Sequence, residues 1–179
     1  SLDNLLSKRK KKLKASSVSV TKIINDVKKN GDKALLKYER RFNKNNIIVP
    51  SVKQINKSIK SLDKKVKKAI DDAYNRIYKF HSLQKFKNIS YKDKYKNKID
   101  YKYLPLESVA IYVPGSTASY PSTVLMNAIP AIVGKVKRIV MINPGYKGKQ
   151  NPAVLYAAKI CGIKEIYSIA GPSAISAVT

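Results

Sequence analysis

Val109-Ala-Ile-Tyr-Val-Pro-Gly-Ser-Thr-Ala-Ser-Tyr-Pro-Ser-Thr-Val-Leu-Met-Asn-Ala-Ile-Pro130 is the stretch whose reading decides the fold. Val109 to Val113 is a short apolar run of the kind that buried strands use, and Pro114-Gly115 ends it. Ser122 to Val133 then reads as a helix interrupted at Pro130. Toward the carboxyl terminus the same order recurs twice. Arg138 to Ile142 is a strand, Asn143-Pro144-Gly145-Tyr146-Lys147-Gly148 a turn, and Asn151 to Cys161 a helix ended by Gly162. Ile166 to Ala170 is a third strand, followed by Ala170-Gly171-Pro172-Ser173 and the two-turn helix Pro172 to Thr179. Strand, turn and helix in alternation predict a parallel sheet with right-handed crossovers, and the three turns then share one edge.

Toward the amino terminus the period is helical. Val20, Ile23, Ile24 and Val27 mark one helix, Gly31 a left-handed stop, and Asp32 the cap of a second helix with Ala34, Leu35, Tyr38 and Phe42 on one face. Asn43 to Ile48 is a loop. Ser51 caps a short helix with Val52, Ile55 and Ile59 inward, and Asp63 begins a longer one striped by Val66, Ala69, Ile70, Ala73, Ile77, Phe80 and Gln84. Residues 88 to 104 alternate polar and apolar, as exposed antiparallel strands do. The expected organisation is a helical segment over 1–87, a small strand element over 88–106 and a truncated Rossmann-like domain over 107–179. The fold class is therefore α/β, with amino-terminal helices followed by an incomplete Rossmann-like parallel sheet. Three strands make a small sheet with an uncovered apolar edge, so the chain reads as interrupted and open to self-association.

The formal net charge of +26 invites a nucleic-acid reading. Its make-up argues against a specific one. Of 37 basic residues 32 are Lys, whereas base-edge and bidentate phosphate recognition favour Arg. Residues 1–100 hold 29 basic and nine acidic side chains, most lysines falling on polar helix faces, so weak salt-sensitive attraction to polyanions is expected. No apolar run approaches the roughly 20 residues of a membrane span, and the basic opening Ser1 to Lys14 lacks the apolar core of a secretory signal. The expectation is an intracellular, cytoplasmic protein with no membrane partner.

The hydroxyl-rich turn from Val113 to Thr123 sits where open α/β sheets place ligands. Gly115 allows close backbone approach, and the next helix N-terminus offers amides to an anion. It is neither G-x-G-x-x-G nor a Walker loop, and a plain strand-to-helix turn uses the same residue types. With one His, one Cys and two acidic residues after position 100, no self-contained metal site and no Ser/His/Asp arrangement is expected. His81 is expected to cap or pack at its helix end, and Cys161 to be a buried helix residue.

The string Val109 to Pro130 resembles the histidinol dehydrogenase family. So do Asn25-Asp26-Val27 with Gly31 to Leu36, Tyr38 to Phe42, Phe80-His81-Ser82-Leu83-Gln84 as F-H-x-x-Q, Asn151-Pro152 through Lys159, and Glu165-Ile166-Tyr167. The resemblance runs from about residue 16 to the end. It implies an aldehyde-dehydrogenase-like fold and a homodimeric enzyme of histidine biosynthesis that oxidises L-histidinol to L-histidine in two NAD-linked steps with zinc. It implies NAD contacts at Tyr112, with Pro114 and Gly115 in the same motif, and at Ser173, where the family's Gly-Gly-Ala-Gln segment carries glutamine. Serine is too short to reach as that amide does, so one hydrogen bond to the nucleotide is expected to be lost. The family's zinc ligands, Glu-His pair and substrate residues fall beyond residue 179. No catalytic or metal residue is assigned, and the chain alone is expected not to turn over histidinol. The other readings are a catalytically inactive nucleotide- or partner-binding domain and a basic nucleic-acid-binding protein.

Overall fold

The computed structural model describes residues 2–115, 118–145 and 149–179, with side chains described from residue 19 onward. Helix α1 (Leu2–Tyr38) is two helices meeting at Gly31, whose φ of 52° and ψ of −136° only glycine adopts cheaply. Asp26 braces that kink. It accepts from Tyr38 Oη at 2.7 Å, Lys37 Nζ at 3.0 Å and Asn30 Nδ2 at 2.7 Å, and these bonds, the tyrosine's foremost, hold its carboxyl down at about 2.

A π-helical turn, Glu39–Asn43, follows, and it corrects the expected inward face. Its wider winding rotates Phe42 outward, 59% exposed, and turns Glu39 into the interior. Helix α2 (Val52–Lys60) opens with a reciprocal capping box between Ser51 and Gln54, and α3 (Lys64–Ser82) is capped by Asp63. Ile59 and Ile70 are buried. Val52, Val66 and Phe80, expected to face inward, are exposed in the first and last turns of their helices, and Gln84 lies beyond the end of α3.

Strands β1 (Ile89–Lys92) and β2 (Lys98–Tyr101) form an antiparallel hairpin, exposed along both strands. The main sheet is β3 (Ser108–Tyr112), β4 (Arg138–Ile142) and β5 (Glu165–Tyr167), parallel and in that spatial order. Helices α4 (Pro121–Val133), α5 (Pro152–Ile160) and α6 (Gly171–Val178) make the crossovers and the closing segment. Side chains on a strand alternate between faces, which sorts the core into two layers. Ile111, Val113, Met141 and Ile166 pack with α4 and α5, and with Ile59 of α2 and Ile70 of α3 behind them. Ile142 and Ile169 face the other way, onto Leu35 of α1 and Ala174 of α6.

Three expectations need correction. Helix α4 runs through Pro130 without interruption: the carbonyl that loses its donor belongs to Met126, which is exposed to water, while Ala128 and Ile129 hold the helix to the core. Strand β3 is not buried throughout. Its side chains alternate between faces: Ile111 packs into the core beneath α4 and α5, while Ser108, Ala110 and Tyr112 share the opposite face and are exposed. The third strand stops at Tyr167 and does not run on to Ala170, because just past its end Ser168 N–H donates to Ile48 O at 2.7 Å and Asn45 Nδ2 donates to Ser168 O at 2.6 Å. The 45–48 segment, a loop as expected, covers the end of β5.

Candidate functional site

Parallel strands end together, so the turns after β3, β4 and β5 gather along the carboxyl edge of the sheet. Tyr112 is the last residue of β3. Alternation puts its side chain on the side opposite Ile111, toward α6, and its Oη accepts from Gly171 N–H at 3.4 Å while the ring stays 39% exposed. The first and third turns are thus linked through a tyrosine that still meets solvent.

Val113 N–H donates to Ile142 O at 2.8 Å, carrying the pairing one step past β3, and the exposed Pro114 then turns the chain away. Gly115 lies hard against the second turn. A Cβ placed on it would sit 2.2 Å from Pro144 O and 2.6 Å from Asn143 Nδ2, so no larger residue fits without moving backbone. Gly145 is pressed similarly against the backbone of Lys149. Ser116 and Thr117, among the hydroxyls expected to line the site, and Tyr146 to Gly148 of the second turn lie outside the described residues.

The third turn is held from beneath. Buried Glu39 accepts from Ala170 N–H at 2.8 Å through one carboxylate oxygen and from Asn43 Nδ2 at 2.9 Å through the other. Burial pushes its carboxyl above the ordinary glutamate range, against the pull of those two amides. Ser173 is buried and its Oγ donates to Ala170 O at 3.0 Å, so the hydroxyl is spent inside the first turn of α6. Tyr112, Pro114, Gly115 and Ser173 therefore share one edge, with Tyr112 and Pro114 facing solvent and Ser173 facing inward.

Sequence reasoning missed Glu39 and Asn143. Glu39 was hidden because the helical period sets it at the flank of the apolar stripe, where a carboxylate ordinarily reaches solvent, until a π turn carries it inward. The signal for Asn143 was legible: a carboxamide directly behind a buried strand and ahead of Pro-Gly.

Neither of the other singled-out side chains joins this edge. His81 Nδ1 pairs with Gln84 Oε1 at 2.6 Å and its ring meets Phe80 edge-on. The three-residue spacing of F-H-x-x-Q is that of a bond closing the end of α3, beside a 530 Å³ cavity lined by Phe86, Tyr103 and Pro130. Cys161 is buried behind α5, and burial pushes its thiol up to about 12. Among the described residues no three His, Cys, Asp or Glu side chains converge to hold a metal, so the residues present do not fit zinc. No described helix is long and apolar enough to cross a membrane.

Comparison with known proteins gives this arrangement its relatives. The histidinol dehydrogenase of Pelagibacter ubique is 80% identical over 177 residues, covering 99% of this chain and 41% of its own length. That of Agrobacterium fabrum is 42% identical over 90% of this chain and 38% of its own length. The crystal structure of histidinol dehydrogenase from Elizabethkingia anophelis superposes with a TM-score of 0.85 at 35% identity, over 90% of this chain and 38% of that one. The chain spans about two fifths of the length of these relatives. Because the family model for histidinol dehydrogenase matches residues 6–179, across the amino-terminal helices, the hairpin and all three parallel strands, the chain belongs to the histidinol dehydrogenase family.

Proposed function

We propose that this chain supplies the cofactor-holding edge of an NAD-dependent histidinol dehydrogenase, a cytoplasmic, homodimeric, zinc-requiring enzyme of histidine biosynthesis. The observation that carries the reading is the closeness of the turns after β3 and β4, where Gly115 leaves no room for a Cβ and so lets the two turns meet backbone to backbone along one edge. Bound NAD would accept hydride from the substrate. Tyr112 offers a solvent-facing ring and hydroxyl to the nucleotide, and Pro114 and Gly115 form the floor beside it. Ser173 contributes by shaping the α6 N-terminus rather than by a free hydroxyl, and the departure from glutamine leaves that flank with one contact fewer. Residues 107–179 act as the nucleotide unit, 1–87 as its helical support, and 88–106 as an exposed hairpin whose Tyr101 and Tyr103, with Phe86 stacked on Tyr103 from the preceding segment, are available to a second subunit.

Zinc and histidinol are held by parts of the family protein that this chain does not span. Isothermal titration of the chain with NAD, and separately with duplex DNA at physiological salt, tests the reading. Heat of binding with NAD, none with DNA, and no turnover when histidinol, NAD and zinc are supplied together are the expected results. DNA binding without NAD binding would favour the charge-driven alternative, and turnover by this chain would refute the division of labour.

A further inference from the structure

Asn143 directly follows the buried end of β4 and is 1% exposed, yet every polar group it owns but one is engaged with a described residue, each with a different part of the carboxyl edge. Its N–H donates to Tyr167 O at 2.9 Å, tying it to the end of β5. Its carbonyl accepts from Gln150 Nε2 at 3.0 Å, on the approach to α5. Its side-chain Nδ2 donates to Val113 O at 2.9 Å and reaches Pro114 O at 3.5 Å, in the turn after β3. Two carbonyls facing the amide fix its orientation, because a flipped carboxamide would set oxygen against oxygen. Oδ1 is buried with no partner among the described residues. A buried acceptor that goes unpaired costs free energy, and a core position retains it only where the rest of the group is needed.

We propose that Asn143 is a positioning residue of the nucleotide edge: its carboxamide holds the Val113-Pro114-Gly115 turn against Pro144 in the shape that receives the dinucleotide. This inference rests on the reading of that edge as the NAD site, and it acts through backbone, not by contact with the ligand. The close approach of Gly115 to Pro144 O and Asn143 Nδ2 is the second sign of the same clamp. Aspartate at this position keeps the size and loses the donor, so a carboxylate oxygen would confront two carbonyls. Serine is uncharged but too short to span to Val113 O.

The test compares Asn143→Asp and Asn143→Ser with the wild-type chain by residue-resolved amide hydrogen exchange, then by NAD titration. Exchange at Val113, whose N–H is bonded to Ile142 O, is expected to quicken by about tenfold or more, with the amides of Met141 and of α5 within about twofold of wild type. NAD affinity is expected to fall by about tenfold in the same variants. Unchanged exchange at the turn, or a uniform rise across the sheet, overturns the proposal, the second by showing a merely structural residue. If Asn143→Asp does not fold, Asn143→Ser alone decides. A wild-type chain that fails to bind NAD counts against the cofactor reading, and the exchange pattern then decides this inference by itself.

Discussion

Replacing Gly115 by alanine perturbs the site by one methyl group. The added Cβ would come within 2.2 Å of Pro144 O, a backbone atom that cannot swing aside because Asn143 beside it is bonded on three sides. Either the turn or the β4 end must give way. Overpacking of this kind costs about 1–3 kcal/mol, which for a chain of this size lowers Tm by roughly 2–12 °C. Gly162→Ala is the control. That glycine has φ of +71° with nothing within 4 Å of a Cβ, so its substitution carries only the left-handed backbone cost of about 1–2 kcal/mol, far from the carboxyl edge. Thermal unfolding followed by circular dichroism gives the stability of both variants and NAD titration gives the affinity. Both should lose stability, and only Gly115→Ala should lose NAD. Wild-type stability and affinity in Gly115→Ala, or an equal loss of affinity in Gly162→Ala, would refute the steric reasoning.

Glu39→Ala strands the Ala170 amide and should cost about 1–3 kcal/mol in denaturant unfolding, while Glu39→Gln keeps an acceptor, removes a buried charge and should be at least as stable as wild type at pH 7. The raised folded-state value means that the folded chain holds this proton more tightly than the unfolded one. Its contribution to stability is therefore full below the ordinary glutamate value and is lost as pH rises through the raised one, and Glu39→Gln should flatten that part of the pH–stability curve. Cys161, held near 12 against an ordinary 9.0, carries about a thousandfold less thiolate and should label with a thiol reagent only on unfolding; prompt native-state labelling would show that the α5 core opens. Duplex DNA should be retained weakly at low salt and released steeply as salt rises, and retention at high salt would indicate a specific interface.

Periodicity made most of this architecture readable. Strands differ from helices in spacing, and caps such as Ser51, Asp63 and Asn151 and the stop at Gly31 announce helix ends through local hydrogen bonding and backbone freedom. What stayed hidden is non-local. A helical wheel places Phe42 inside, and the π turn that reverses it with Glu39 is fixed by Ala170, 131 positions away. The cover on β5 comes from Asn45 and Ile48, whose loop has no pattern of its own. At the site, the turn motif identified Tyr112 and Gly115, but the inward commitment of Ser173 to Ala170 O is a fact of packing that composition does not carry.

If the carboxyl ends of β3, β4 and β5 form one dinucleotide-holding edge, the ligand must touch all three turns at once. Titrating NAD into the isotopically labelled chain and mapping amide chemical shifts tests it most directly. Perturbations are expected to concentrate at Tyr112–Gly115, Asn143–Gly145 and Ala170–Ser173. Shifts that are absent, or scattered over the lysine-bearing faces of α2 and α3, would contradict it.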